Sequence, residues 1–318
     1  MTQKRENTIK TAFAKLLTTE ENTPIPKLKD VYLRWIAGVK LSSKPNTVSK
    51  YEGFFRNHIS CLQSLKVDAI DRATINSFTK MLIGKGLSNK TINDILIVLN
   101  MILNFAAEEY GIITPKIKYM REEKHEPRYL SVIEQKRLTN YLIKDIDIHK
   151  FGTLLAMYTG MRLGELCALR WEDITDNSIK INKTMMRVVE NGKTTVITLP
   201  PKTESSVRIV PFPPKLLKYY TKFRGSGYVL STKRLICTEP RYMQMKFDKY
   251  VAESGLQDVT FHTLRHTFAT RCIEAGVDAK TVSELLGHAD TKITLNRYVH
   301  SSFELKQTSI EKMQQLLA

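Results

Sequence analysis

Apolar positions recur at helical spacing from Ile25 onward. Leu28, Val31, Tyr32, Trp35 and Ile36 make one stripe. The stretch Ser42-Ser43-Lys44-Pro45-Asn46-Thr47 joins a break to a start signal, and Val48, Tyr51, Phe54, Phe55 and Ile59 carry the next helix. Asp71 stands where an N-cap belongs, ahead of Ile75, Phe78, Met81 and Leu82, and Gly84 and Gly86 close that segment. Ser88 opens the strongest helix of the chain. There Ile92, Ile95, Leu96, Leu99, Ile102, Leu103 and Ala106 repeat at i, i+3, i+4 and i+7 up to Gly111. These helices predict a small all-α domain over residues 25–112, preceded by a polar arm over residues 1–24.

The pattern then lapses. Residues 113–128 hold Pro115, Pro127 and the mixed-charge run Arg121-Glu122-Glu123-Lys124, and read as a solvated linker. A second domain is expected over residues 129–318. Ser131 and Glu134 have capping-box spacing, and helices follow through Phe151–Met157 and from Leu163 to before Trp171. Between residues 178 and 210 the period shortens to two. Ile179–Asn182, Met185–Val189, Thr194–Leu199 and Val207–Val210 read as strands of one small antiparallel sheet, with Asn191-Gly192 as a hairpin signal. Helices are expected again at Pro213–Phe223, Arg241–Ser254, Thr263–Ala275, Ala279–Leu286 and around Tyr298, and a last amphipathic one over residues 303–317. The fold class is mostly α with a small antiparallel sheet, in two domains.

Charge narrows the partner. The 318 residues carry a formal net charge of +17, and the first 130 (+8) and the remainder (+9) share it. A basic balance spread over both domains suits a pair that grips one polyanion, nucleic acid first. The four cysteines, Cys61, Cys167, Cys237 and Cys272, form no C-x-x-C pair and point to reduced thiols in the cytoplasm. No signal-peptide run opens the chain and no stretch approaches the ~20 apolar residues of a membrane helix, so no membrane partner is expected.

The chemistry-bearing residues gather late. Phe261-His262-Thr263-Leu264-Arg265-His266 puts His262 and Arg265 on one helix face. His288 follows the Leu286-Gly287 turn, and Tyr298 comes ten residues later. Tyrosine, histidine and arginine in a very basic chain suggest phosphoryl transfer with a tyrosine nucleophile and no metal. His262 and His266 have the i, i+4 spacing of a metal pair, but no Glu follows His262 as in H-E-x-x-H and no third ligand is suggested. Neither a Walker-type phosphate loop nor a clustered carboxylate set for two-metal hydrolysis is present, so no cofactor is required. Upstream stand Thr159-Gly160-Met161-Arg162-Leu163-Gly164-Glu165 and Pro201-Lys202-Thr203-Glu204-Ser205-Ser206-Val207-Arg208.

With these in place the chain resembles the tyrosine recombinases of the phage-integrase family. Arg162 falls in a T-G-x-R-x-x-E box, Lys202 in a K-T-x-x-S-x-R hairpin, His262 and Arg265 in an H-x-L-R-H box, and His288 and Tyr298 follow in family order. The resemblance spans roughly residues 25–318 and implies a two-lobed DNA clamp, a helical core-binding domain and a catalytic domain. It implies site-specific recombination of double-stranded DNA through a 3′-phosphotyrosine at Tyr298, on a tetramer spanning two sites. Arg162 and Arg265 would hold the phosphate as guanidinium forks. Lys202 would protonate the leaving 5′-oxygen, with Lys193 as the other lysine flanking that sheet. His262 and His288 would contact phosphate oxygens and help move the tyrosine proton, and Glu165 would orient its neighbours. An accessory directionality factor is a possible partner of such enzymes.

His266 reads as a packing residue and His300 as structural. Arg170 and Arg208 are candidate phosphate contacts that nothing in the sequence separates from ordinary surface residues. The helix after Tyr298 is expected to dock on a neighbouring protomer or to pack on its own domain. Only 24 residues precede the first core helix, which reads as a short form without an arm-binding domain; integration, inversion and resolution stay open. The alternatives are a catalytically silent DNA-binding regulator on the same scaffold and a topoisomerase-like enzyme with the same cleavage and a relaxed product.

Overall fold

The computed structural model describes residues 24–122, 127–190, 193–200, 204–231 and 237–298, with Gln307, Ile310, Glu311, Met313 and Gln314 beyond them. Its contacts divide the chain into two compact units, residues 1–123 and 124–318.

The first unit is built on helices α1 (Leu28–Ser42), α2 (Pro45–Asn57), α3 (Arg72–Gly84) and α4 (Asn89–Tyr110), with two short 3-10 turns between α2 and α3. The predicted caps are in place. The Asp71 carboxylate accepts from the Thr74 N–H, the Ser88 hydroxyl from the Thr91 N–H, and Gly111 ends α4 in the left-handed conformation that a side chain disfavours. All five residues of the first predicted stripe are buried. Helix α4 is long and apolar enough to cross a membrane by length and composition. It is instead the centre of this unit, burying Ile92, Ile95, Leu96, Val98, Leu99, Ile102, Leu103 and Ala106 among the other helices.

The first half of the expected linker belongs to this unit. Ile117 is buried in its core. Asn93 on α4 accepts from the Met120 N–H (2.8 Å), donates to the Met120 carbonyl (2.9 Å) and donates to Glu122 (3.0 Å). Asn89 adds a bond to the Arg121 carbonyl (2.9 Å), so two amides of α4, with the packing of Ile112, Ile117 and Met120, hold residues 112–122 without regular structure, and no apolar period announces it.

The second unit opens with α5 (Val132–Ile143), whose Ser131–Glu134 capping box forms as expected, then α6 (Ile148–Thr159) and the short α7 (Leu163–Ala168). The strands are β1 (Ser178–Ile181), β2 (Thr184–Glu190), β3 (Lys193–Leu199) and β4 (Arg208–Pro211). They form two antiparallel ribbons rather than one sheet. Strand β1 pairs with β4, from Ser178↔Pro211 to Ile181↔Arg208, and β2 pairs with β3, from Thr184↔Leu199 to Glu190↔Lys193. Alternation marks a strand but not its partner, which is why the sequence reads as a single sheet. Asn191-Gly192 lies outside the described residues. Helices α8 (Leu217–Phe223), α9 (Pro240–Glu253), α10 (Phe261–Glu274), α11 (Ala279–Leu286) and α12 (Thr291–Tyr298) complete the unit. Of the expected 303–317 helix, the five described positions are helical and exposed.

Two glycines let the elements that carry the site approach closely. Gly160 ends α6 at φ +66°, and a Cβ there would lie 2.5 Å from Phe268 on α10 and 2.7 Å from Leu286 on α11. A Cβ on Gly164 would lie 2.6 Å from the Met185 carbonyl oxygen, so α7 rests directly on the β2 backbone.

Candidate active site

The site starts at the end of α6. Gly160 turns the chain, and Arg162 becomes the N-cap of α7. Glu165, one turn later, accepts from the Arg162 backbone N–H at 2.8 Å and from the Arg162 guanidinium at 2.8 Å. Glu165 is 5% exposed and Arg162 38%, so the arginine emerges from a buried carboxylate toward solvent. Arg208, on the inward-facing side of β4, closes on the same carboxylate through two bonds of 3.1 and 2.8 Å. Burial alone would raise the Glu165 carboxyl. The Arg208 hydrogen bonds and charge, with those of Arg162, outweigh it and hold the group below the usual carboxylate range.

Arg265 enters from α10. It is 2% exposed and donates to the Gly160 carbonyl (2.9 Å) and the Leu286 carbonyl (2.7 Å), linking the ends of α6 and α11. His262, one turn earlier, is exposed, and its ring meets that of buried His266 edge-on at 4.6 Å between centroids. Arg162, His262 and Arg265 line one cleft of about 190 Å³ together with Leu163, Gln244 and Thr260. Two guanidinium groups and an imidazole on one concavity make a fixed receptor for an oxyanion.

His288 follows Gly287, the left-handed C-cap of α11, and its Nδ1 lies 2.8 Å from the Thr294 hydroxyl on α12. It is joined to the arginines by backbone: the Gly287 carbonyl accepts from Arg162 (3.4 Å) and the Leu286 carbonyl from Arg265. Helix α12 begins three residues beyond His288 and ends at Tyr298, whose side chain lies outside the described residues, as does all of Lys202. The described chain therefore brings Arg162, Glu165, Arg265 and the His288 turn together, with His262 on the same cleft.

A family model described as the phage integrase family matches residues 128–304, more than half of the chain. The chain belongs to that family, the tyrosine recombinases. A second model, the N-terminal SAM-like domain of phage integrases, matches residues 27–83 of this recombinase, within the first unit. A tyrosine recombinase XerC-like protein of Caldanaerobacter subterraneus is 30% identical over 91% of this chain and 83% of its own. The ICEBs1 integrase of Bacillus subtilis is 27% identical over 92% and 83%. Among solved structures, the Tn1549 transposon integrase in complex with a circular intermediate DNA matches with a TM-score of 0.78 at 20% identity, over 91% of this chain and 99% of that one. A lambda integrase tetramer bound to a Holliday junction matches at 0.66 and 18%, over 92% and 86%. At those identities the structures speak for the fold.

The sequence misplaces Arg208. Read there as a candidate phosphate contact, it is buried, and its guanidinium is occupied by Glu165 and by the carbonyls of Leu285 (2.7 Å) and Ser206 (3.2 Å). Strand period two was the available signal, since it places Arg208 on the same inward face as Val210. Arg170 is half-buried and paired with Glu172 at 3.1 Å.

Proposed function

We propose that this recombinase cuts and rejoins DNA through a phosphodiester bond to Tyr298, with Arg162 and Arg265 holding the scissile phosphate. The observation that carries the reading is the shared cleft: two arginines from separate elements and His262 face one small concavity, and both arginines are tied to the turn that bears His288.

The phenolic oxygen of Tyr298 attacks phosphorus and forms a Tyr–O–P bond as the P–O5′ bond breaks. The phosphotyrosine keeps the phosphodiester energy, so rejoining needs no nucleotide. Negative charge grows on the non-bridging oxygens. Two guanidinium forks suit them because they stay ionised and each binds two oxygens, and each donor fixed on developing charge supplies roughly 3–4 kcal/mol. His262 and His288 hold phosphate oxygens and relay the tyrosine proton, and Lys202 gives its proton to the departing 5′-oxygen. Glu165 holds Arg162 and takes no part in proton transfer.

The same reading makes residues 25–122 the core-binding domain, with the first half of the expected linker included, and 129–318 the catalytic domain, acting in the cytoplasm on double-stranded DNA. Assembly as a tetramer on two sites is part of the reading, supported by lambda integrase, solved as a tetramer bound to a Holliday junction; an accessory factor setting direction completes it. The ICEBs1 integrase supports integration as one outcome, beside the XerC-like relative at higher identity.

The test is a covalent protein–DNA adduct trapped on a nicked suicide duplex. Wild-type protein should form it without metal or nucleotide, and Tyr298→Phe should form none. An adduct that persists in Tyr298→Phe removes the assignment.

A further inference from the structure

Three successive backbone carbonyls at the end of α11 each accept from a different arginine. Leu285 accepts from Arg208 Nε at 2.7 Å, Leu286 from Arg265 Nη2 at 2.7 Å, and Gly287 from Arg162 Nη2 at 3.4 Å. The arginines come from β4, α10 and the start of α7. A helix C-terminus leaves its last carbonyls without intrahelical donors and carries partial negative charge, so it is a natural collecting point for cations. Two of the three arginines line the cleft and the third, Arg208, does not. Its side chain is 5% exposed, as is that of Glu165 beneath it.

Arg208 nonetheless touches both halves of the site's frame. Two of its bonds go to Glu165, the carboxylate that also holds Arg162. A third goes to Leu285, three residues before His288. It also packs on the turn itself, since a Cβ on Gly287 would stand 3.1 Å from Arg208 Cδ and Nη1. The charges suggest what this does. A buried carboxylate facing a single arginine would draw that guanidinium in and neutralise it. With Arg208 supplying the compensating charge, Arg162 keeps its own for a ligand in the cleft.

We propose that Arg208 is a positioning residue for strand cleavage: without touching DNA, it neutralises Glu165 so that Arg162 stays available to the phosphate, and it fixes the turn that presents His288. This rests on the reading of Arg162 and His288 as phosphate-binding groups.

The experiment compares wild type, Arg208→Met, Glu165→Gln and the double variant in the full-length chain. The probe is a nicked duplex of the sequence at which the wild-type chain forms adducts. Single-turnover adduct rates at saturating DNA are read beside affinity for the intact duplex. Arg208→Met should slow adduct formation about 30-fold while affinity stays within about 3-fold, and adding Glu165→Gln should return about 10-fold of the rate, a coupling of the size seen for directly bonded side chains. A merely structural role would lower the fraction of molecules that form adduct and leave the rate of that fraction unchanged, so burst amplitude and rate are read separately. Should Arg208→Met alone not fold, the double variant, which removes both buried charges together, and Arg208→Lys, which keeps the charge but not the fork, carry the same comparison. Both should then cleave more slowly than wild type at undiminished affinity.

Arg208→Met cleaving at the wild-type rate, a loss confined to affinity, or rate losses that multiply in the double variant would each overturn the proposal. A wild-type chain that forms no tyrosine adduct overturns the site reading and Arg208's role with it. A normal wild-type adduct beside a fast Arg208→Met overturns Arg208's role alone.

Discussion

The two units of this recombinase bury different kinds of side chain. In the helical unit the buried interior is apolar, and Asn93 is the one buried polar residue among those described. In the second unit Thr153, Thr159, Glu165, Arg208, Thr263, Arg265, His266, Thr267, Ser283 and Thr294 are all buried beside an apolar core. Burying a polar group costs free energy unless it is bonded, and a charged one costs more. A unit that only has to fold and present a surface can avoid that cost. A unit that must hold cations in one geometry cannot, because fixed positions come from bonded polar neighbours. The buried charged residues among those described, Glu165, Arg208 and Arg265, all lie at the candidate site.

The sharpest way to break this contrast is to damage each interior in its own currency. Leu99→Ala in the middle of α4, where the side chain is fully buried, should cost about 4 kcal/mol of unfolding free energy in urea titration through the cavity it leaves. Molecules that remain folded should still form the DNA adduct at the wild-type rate once bound. Arg265→Met should do the reverse. It removes the bonds to Gly160 and Leu286 and, on the proposed reading, one phosphate fork, and should lower the adduct rate about 100- to 1000-fold, the effect of losing one oxyanion donor. If Leu99→Ala slowed bond breaking as much as Arg265→Met does, the division between a folding interior and a site-building one would be false.

Asn93, the exception in the first unit, sharpens the comparison from the other side. Asn93→Ala leaves the Met120 N–H and carbonyl without partners and should cost about 2 kcal/mol. Its signature should be local. Amide exchange at Met120 should quicken well before that of Leu96 or Leu99, and adduct formation by bound protein should be unchanged. Uniformly faster exchange across α4 would instead make Asn93 part of the core rather than one of the clips that hold residues 112–122.

The same contrast explains how much could be read without coordinates. Apolar period and cap chemistry are local, and they found α1 to α4, the Ser88 and Asp71 caps and the Ser131–Glu134 box with ends within a residue or two. Arg162, His262, Arg265 and His288 were legible as types at motif spacing. The carbonyls that hold Arg162 and Arg265 were not, since a backbone acceptor carries no side-chain signature. Arg208 shows the limit most clearly. Its identity says cation and its neighbourhood in the chain says strand, while its partner Glu165 lies 43 residues away. The packing of residues 112–122 was hidden for the same reason: its polar anchors are two amides on another element, Asn89 and Asn93, and the segment's own charge run reads as solvated.

Electrostatic holding also occurs at exposed pairs outside the cleft lining, and there it should be worth little, which is the smallest and most easily separated effect. At the start of α5 the Glu134 carboxylate accepts from the Ser131 N–H and pairs with Arg128. The Arg128 hydrogen bond, then the Ser131 N–H, lower its pKa to about 2 from an ordinary 4.5. A carboxyl with a depressed folded-state pKa stabilises the fold fully above its unfolded value, and loses that contribution as pH falls through the folded one. The window therefore runs from about 4.5 down to about 2. Glutamine preserves the capping-box acceptor and drops the charge, so Glu134→Gln isolates the ion pair. With Arg128 40% exposed, the variant should lose under about 1 kcal/mol at pH 7. The gap to wild type in urea midpoint should shrink between pH 4.5 and pH 2.5 and go on closing toward pH 2. A gap that stays constant on acidification would show that the Glu134 carboxyl is not held low in the native fold. A gap as large as that of Leu99→Ala would show that an exposed pair can stabilise as much as a buried apolar core, against the contrast drawn between the two interiors.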